Sequence, residues 1–461
     1  MRLPALVLTL TCACAAQDFL VKPYLQLGNS PRLANDEKML LLWHTRDENA
    51  GFSVQVKTAE ARDWAKPVKA GSRRITVRGV ESHRVWIAPL TKLKPGEEFD
   101  YRVLKGDQPV FQARARARKP AAQPHRFVLF GDCGQNSPAQ KAIAYQTHLA
   151  KPDFVFLAGD IVYGRGRIAE YRSNYFPIYN ADDVSPALGA PLMRSTLFVA
   201  APGNHDMFPD LRAFPDGMAY FYYWSQPLNG PQLSPGSPNT PIPAADEGTQ
   251  RDFIANAGET YPRMTNFSFD YGNAHWTVLD SNHYVDWRDS GLRNWVASDL
   301  KAARGAAWRF VAFHHPGMSS SKTHFADQQM RLLSDLFEKA EVDLVFAGHV
   351  HNYQRSYPLY FSPAKGSGPR GRVEGDWRVD KEYDGVTRTK PKGPIYIVSG
   401  SGGAQLYDPD QQDNPASWQP FTVKFISQLH SLTQVDVDAE RLTVRQIDLN
   451  GREVDRFVVT R

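Results

Sequence analysis

Five short runs of consecutive apolar residues, at 127–130, 154–158, 197–200, 310–313 and 344–347, each lead within three residues to a glycine or a pair of histidines. A strand that is apolar on both faces belongs inside a sheet covered on each side. Two further runs, 276–279 and 395–398, have the same character. Between them, 138–150 reads as a helix, and so does 325–340 from its stripe of Met330, Leu333 and Phe337. Buried strands alternating with helices predict an α/β core.

The loops after these strands carry the chemistry. They read Gly131-Asp132-Cys133-Gly134, Gly159-Asp160-Ile161-Val162-Tyr163, Gly203-Asn204-His205-Asp206, His314-His315-Pro316 and Gly348-His349-Val350-His351. In an open α/β sheet such strand ends gather at one edge, where ligands bind. A single Gly-Asp after a strand is an ordinary turn with a local side-chain hydrogen bond. A His-x-His pair on extended backbone does no more than set two imidazoles on one side. Five such segments are different, because they deliver two aspartates, a tyrosine, an asparagine and several histidines to one crevice. Oxygen donors mixed with imidazoles suit divalent and trivalent first-row metals, and there are too many donors for one ion. Two metals sharing a carboxylate is the economical solution. A pair of cations can clamp a phosphate ester, acidify a bound water to give hydroxide near neutrality, and stabilise the attacking and leaving oxygens of an in-line displacement.

The first hundred residues follow another grammar. Runs at 39–43, 52–56, 83–87 and 101–104 are separated by turn residues such as Pro95-Gly96, several alternate with period two, and nothing has helical periodicity. A β-sandwich over 17–118 is predicted. Arg114, Arg116, Arg118 and Lys119 read as a solvated strand edge leading into a linker that contains Pro120 and Pro124. The catalytic part then runs over 125–461, with a Pro-, Gly- and Ser-rich stretch at 207–262 read as a long loop insertion and further alternating strands within 400–461.

Charge narrows the partners only by exclusion. With 54 basic and 49 acidic residues the net charge is +5, which gives no reason to expect a nucleic-acid partner. No apolar run is long enough to span a bilayer, so no membrane partner is expected. Residues 1–16, with Arg2, a short apolar stretch and then Ala13, Ala15 and Ala16, read as a secretory signal peptide, which predicts a periplasmic or extracellular protein. Of three cysteines, Cys12 and Cys14 leave with that segment. Cys133 remains as a single thiol, read as a buried, inert one.

The ordered blocks Gly-Asp-x-Gly, Gly-Asp-x-x-Tyr, Gly-Asn-His-Asp, Val-x-x-His and Gly-His-x-His resemble the ligand signature of the purple acid phosphatases, within the calcineurin-like metallophosphoesterases. The resemblance runs from about Phe127 to His351. It extends to the N-terminal module, since plant-type members carry a fibronectin type III-like β-sandwich before the catalytic domain. It implies a two-sheet α/β/β/α metallophosphoesterase sandwich preceded by an all-β sandwich domain. Carried over position by position, it implies one metal on Asp132, Asp160, Tyr163 and His351, and a second on Asp160, Asn204, His314 and His349, with Asp160 bridging. A phenolate from Tyr163 implies Fe(III) in the first position and a divalent ion (Zn, Mn or Fe) in the second. His205 is the candidate to protonate a leaving alkoxide or hold a phosphate oxygen, adjacent Asp206 to orient it, and His324, ten residues after His314, to contact substrate. The expected substrate is a small-molecule phosphate monoester, with a phosphodiesterase or nucleotidase reaction on the same metals as the alternative and a non-catalytic secreted binding protein as the more distant one. The oligomeric state is left open. His315 is read as a packing or hydrogen-bonding neighbour of the ligands, and His283 is left outside the site.

Overall fold

The computed structural model describes residues 18–461, so the signal peptide read at 1–16 lies outside the described residues. From Val21 to Arg116 the chain forms two four-stranded sheets. One takes the order Val21–Gln26, Glu37–Arg46, Val80–Leu93, Gly71–Val77, and the other Val68–Lys69, Phe52–Thr58, Glu98–Lys105, Gln108–Arg116. Every pairing is antiparallel. Period-two patterning explains the packing, since the inward-facing Leu41, Trp43, Trp86, Phe52, Tyr101 and Val103 are buried together. Trp43 and Trp86 stack with ring planes 8° apart and centroids 6.3 Å apart.

The rest of the chain is a mixed α/β sandwich of two large sheets. The six-stranded sheet runs Leu197–Ala200, Phe154–Leu157, His125–Phe130, Ser431–Val437, Arg441–Asp448, Glu453–Thr460. Its first three strands are parallel and its last three antiparallel additions. The seven-stranded sheet runs Phe267–Tyr271, Ala274–Val278, Trp308–Ala312, Leu344–Ala347, Ile395–Ser399, Tyr353–Ser356, Thr422–Ile426. Its strands from Ala274 to Ile395 are mutually parallel.

The sheets meet on a layer of aromatic rings. Trp276 lies 4.9 Å from Phe127 and 5.1 Å from Phe156, centroid to centroid, and Phe346 lies 5.8 Å from Phe127. Helix Pro138–Ala150 covers the outer face of the first sheet through Ile143 and Ala144, and starts where Ser137 caps the amide of Gln140. Helix Ser290–Ala302, capped by Asp289, covers the second through Leu292, Val296 and Leu300. The C-terminal strands therefore complete the sheet that carries the first two aspartate loops.

Three expectations are corrected here. The stretch 325–340 is not one helix: residues Gln329–Leu333 form a 3-10 turn and only Ser334–Lys339 is α-helical, although Met330, Leu333 and Phe337 are buried as their stripe requires. Its first residues lie outside any helix, and Asp327 among them meets His324 and His349. The stretch 207–262, read as a long loop insertion, is not irregular throughout, since it contains helix Glu247–Ala257 and a buried aromatic run, Tyr220 to Trp224. Part of this stretch is pinned to the N-terminal sheets, where Arg73 donates to the carbonyls of Tyr222 and Ala257. Arg118, read as part of a solvated edge, is buried on Glu37 and also donates to the carbonyl of Asp270, while Arg114 and Arg116 are the exposed, ion-paired residues.

Candidate metal centre

Parallel strands in both sheets end at one edge, and the loops there close on each other through backbone that tolerates nothing larger. A Cβ on Gly203 would stand 2.1 Å from the Asp160 amide nitrogen and 2.2 Å from its Oδ1. Gly159, at φ +85°, leaves no room either, its virtual Cβ falling 2.5 Å from His314 Nδ1. Asp132, Asp160, His349 and His324 all take positive φ (58°, 49°, 67° and 59°). Side-chain-bearing residues seldom adopt this conformation, and such residues cluster at functional sites.

The side chains so held converge. Asp132 and Asp160 are fully buried, and among the described residues neither pairs with a lysine or arginine. Asp132 Oδ2 accepts from the His349 amide at 2.7 Å, and its Oδ1 accepts from the Tyr163 hydroxyl at 3.1 Å. His314 Nδ1 faces the carbonyl of Ala158 at 2.7 Å, which can only accept, so that nitrogen carries the proton. In the neutral ring the lone pair is then on Nε2, which faces Asn204 Oδ1 at 3.1 Å, Asp160 Oδ1 at 3.3 Å and Asp132 Oδ1 at 4.0 Å. His351 repeats the arrangement. Its Nδ1 donates to the Gln405 carbonyl at 2.6 Å, and its Nε2 meets Tyr163 Oη at 2.8 Å and Asp132 Oδ1 at 3.4 Å.

Lone pairs aimed at lone pairs at about 3 Å are what ligand atoms around one cation look like, given metal–ligand bonds of about 2.1 Å. The donor set therefore fits metal ions. Without a cation the same acceptors pull a proton onto the ring: burial lowers the His314 pKa, but Asp160 and Asp132 outweigh it and raise it to about 9. Burial and the two carboxylates hold the Tyr163 phenol well above its ordinary value, so a phenolate there needs a cation beside it. Asp160, His314 and His349 present ligand atoms within 4.8 Å of one another.

All seven residues expected to be ligands thus line one crevice. His205 sits at its rim, about 29% exposed, with Nδ1 on the Gly164 carbonyl at 2.8 Å and Nε2 3.9 Å from Asp160 Oδ2. His324 is about 38% exposed and packs over His349, ring centroids 4.2 Å apart. Asp206 does not orient His205. Its buried carboxylate accepts from the amides of Gly203 and Ile161 and braces the two loops, while the Gly164 carbonyl orients the imidazole. Burial first, and the charge of Asp160 second, raise the Asp206 pKa to about 7. Cys133 is buried, 3.7 Å from the Ile161 carbonyl, and burial pushes its thiol far up, as expected of an inert one.

Other residues at the crevice had escaped the sequence reading. Tyr407 stacks on His351, centroids 3.9 Å apart and planes within 10°, and Gln405 holds that histidine from behind. Both lie in the loop after strand Ile395–Ser399, so the strand-end rule applied to this last parallel strand would have found them. His315 is tied to Ser281 Oγ at 3.0 Å and is a neighbour of the ligands, as expected. His283 reaches the crevice after all, on Asp327.

Residues 125–353 match the family model of the calcineurin-like phosphoesterases. The chain carries a calcineurin-like phosphoesterase domain and is similar to purple acid phosphatases. It is 26% identical over 318 residues to purple acid phosphatase 23 of Arabidopsis thaliana, a match covering 64% of this chain and 56% of that protein. It is 25% identical over 398 residues to purple acid phosphatase 21 of the same plant, covering 84% and 79%. The chain thus spans little more than half of the first relative's length. Among solved structures, purple acid phosphatase PPD1 from yellow lupin seeds shares the fold with a TM-score of 0.63 at 17% identity, covering 95% of this metallophosphoesterase and 74% of that chain. Among the described residues no helix is long and apolar enough to cross a membrane.

Proposed function

We propose that this metallophosphoesterase is a secreted binuclear phosphatase acting on small-molecule phosphate monoesters. The observation that carries the reading is the pair of histidines, His314 and His351, each donating backwards to a carbonyl and aiming its other nitrogen at oxygen acceptors. In this reading Asp132, Asp160, Tyr163 and His351 hold Fe(III), and Asp160, Asn204, His314 and His349 hold Zn, Mn or Fe as the divalent partner. When bound, the two cations supply Lewis acidity toward the phosphoryl oxygens and acidify a water for in-line attack.

The remaining work falls to the chain's own side chains. Carbonyl anchoring of His205 Nδ1 leaves Nε2 toward the crevice, where it delivers a proton to the departing alkoxide oxygen. His324, exposed above His349, meets the phosphate. Tyr407, half-buried and stacked on His351, walls the crevice. Burial of both carboxylates keeps bulk water away from the charges that the cations must feel. The N-terminal β-sandwich is read as fibronectin type III-like.

A panel of monoesters, diesters and nucleotides tests the substrate class. Turnover should be highest on chromogenic monoesters and collapse in Asp160→Ala while the thermal transition persists. Equal turnover in wild type and variant overturns the site, and preference for diesters overturns the substrate class.

A further inference from the structure

Asp327 stands where several imidazoles meet, and the reaction above makes no use of it. Its Oδ2 lies 3.1 Å from His349 Nε2 and 3.3 Å from His324 Nδ1, and its Oδ1 lies 3.2 Å from His283 Nε2. The rings also pack on one another: His349 is 4.2 Å from both His324 and His315, centroid to centroid. His315 Nδ1 meets Ser281 Oγ instead, and the carboxylate serves the other three rings.

A carboxylate offers about four lone-pair directions, enough to accept from three rings at once. Accepting from His349 Nε2–H decides that ring's tautomer, since a neutral imidazole protonated on Nε2 keeps its lone pair on Nδ1. A metal-ligating histidine characteristically donates its other N–H to a carboxylate, which fixes the ring and raises its basicity. His349 is thereby held at both ends, its backbone amide on Asp132 Oδ2 and its ring on Asp327 Oδ2. The same oxygen takes His324, whose positive φ and whose carbonyl, accepting from the Asp327 amide at 3.0 Å, set it in a short turn above the crevice.

We propose that Asp327 is a positioning residue that ties the second metal's ligand His349 to the substrate-facing His324, so that metal retention and substrate binding depend on one carboxylate. The proposal rests on the two-metal reading of the crevice. Neither function can be lost alone when this carboxylate goes, whereas loss of His324 affects substrate only.

Asp327→Asn is isosteric but turns an N–H₂ group toward rings that also donate. Dialysed against a graded metal–chelator buffer, this variant is expected to release one of its two metals at about 10- to 100-fold higher free metal than wild type, and KM for a chromogenic monoester is expected to rise with it. Asp327→Glu separates positioning from packing. A carboxylate on a longer stem should retain metal better than Asn if charge and acceptance matter, and worse if shape alone matters. Wild-type metal retention and KM in Asp327→Asn, or poorer retention in Glu than in Asn, overturns the proposal. Should Asp327→Asn lose its cooperative unfolding transition, Asp327→Glu is compared with Asp327→Ser, and retention no better in Glu overturns it equally. Wild type itself supplies the separate check, because a wild-type protein that binds fewer than two metals defeats the two-metal reading and not merely the role of Asp327.

Discussion

His314 turns Nε2 to the side-chain oxygen of Asn204 at 3.1 Å, so that in the neutral ring one acceptor faces another in a buried crevice. A cation between them resolves the conflict, so Asn204 is worth more as a ligand than as a hydrogen-bond partner. Asn204→Ala is expected to lower kcat/KM for a chromogenic monoester by more than the about 100-fold typical of an outer-shell partner, with little change in thermal midpoint. Steady-state kinetics with a parallel melt checks this, and a loss below tenfold contradicts it.

Tyr163 Oη lies 2.8 Å from His351 Nε2 and 3.1 Å from Asp132 Oδ1, and burial first, then the charges of Asp132 and Asp160, resist its ionisation. Only a strongly charged cation makes it a phenolate. A visible charge-transfer band is therefore expected in wild type and absent in Tyr163→Phe, read by absorption of the purified proteins. A colourless, fully active wild type would contradict the iron-tyrosinate assignment while leaving hydrolysis intact.

Two groups of buried histidines far from the crevice set opposite arms of the stability profile. Burial, with His83, Arg172 and Arg73 adding to it, holds His44 well below its ordinary pKa, and burial with Arg172 lowers His83 to about 4. The unfolded chain then takes up protons that the folded one refuses, so stability falls as pH drops from about 6.5 toward 4. His275 is also buried, but Asp270 and Asp299 bond both its nitrogens and raise its pKa to about 9. Its contribution is full below about 6.5 and fades as pH rises through 9. Urea midpoints across this range should show a shallower acid arm in His83→Gln, where His44 remains, and lose the alkaline arm in His275→Gln. Parallel profiles for all three proteins contradict the assignment.

Arg118 and Glu37 are each about 1% exposed and join the N-terminal sheets to the carbonyl of Asp270 in the catalytic part. Removing one partner of such a pair leaves a buried charge, so Arg118→Met is expected to cost about 3–5 kcal/mol in denaturant unfolding. A change under 1 kcal/mol would mean that water reaches Glu37.

The legible parts of this molecule were those in which local sequence and tertiary role coincide. Runs such as Phe127 to Phe130 are apolar throughout because both faces are covered, and glycines such as Gly159 and Gly203 follow because loops close there at contact distance. That logic reached all seven converging residues. Asp327 was hidden because the apolar stripe Met330, Leu333 and Phe337 satisfies a helical period, whereas the residues before Gln329 lie outside any helix. The pairing of Ser431–Val437 with His125–Phe130 joins strands some 300 residues apart, a partnership that alternation alone does not specify. Asp206 misled for a related reason, because adjacency to His205 in sequence says nothing about which backbone amides a carboxylate will meet.

Elemental analysis of the purified protein, dialysed free of loose metal and set beside Asp160→Ala, tests the two-metal centre most directly. Two metals per chain, at least one of them iron, are expected in wild type, with both metals and turnover lost together in the variant. Full hydrolysis of a phosphate monoester by wild-type protein holding one metal or none would contradict it.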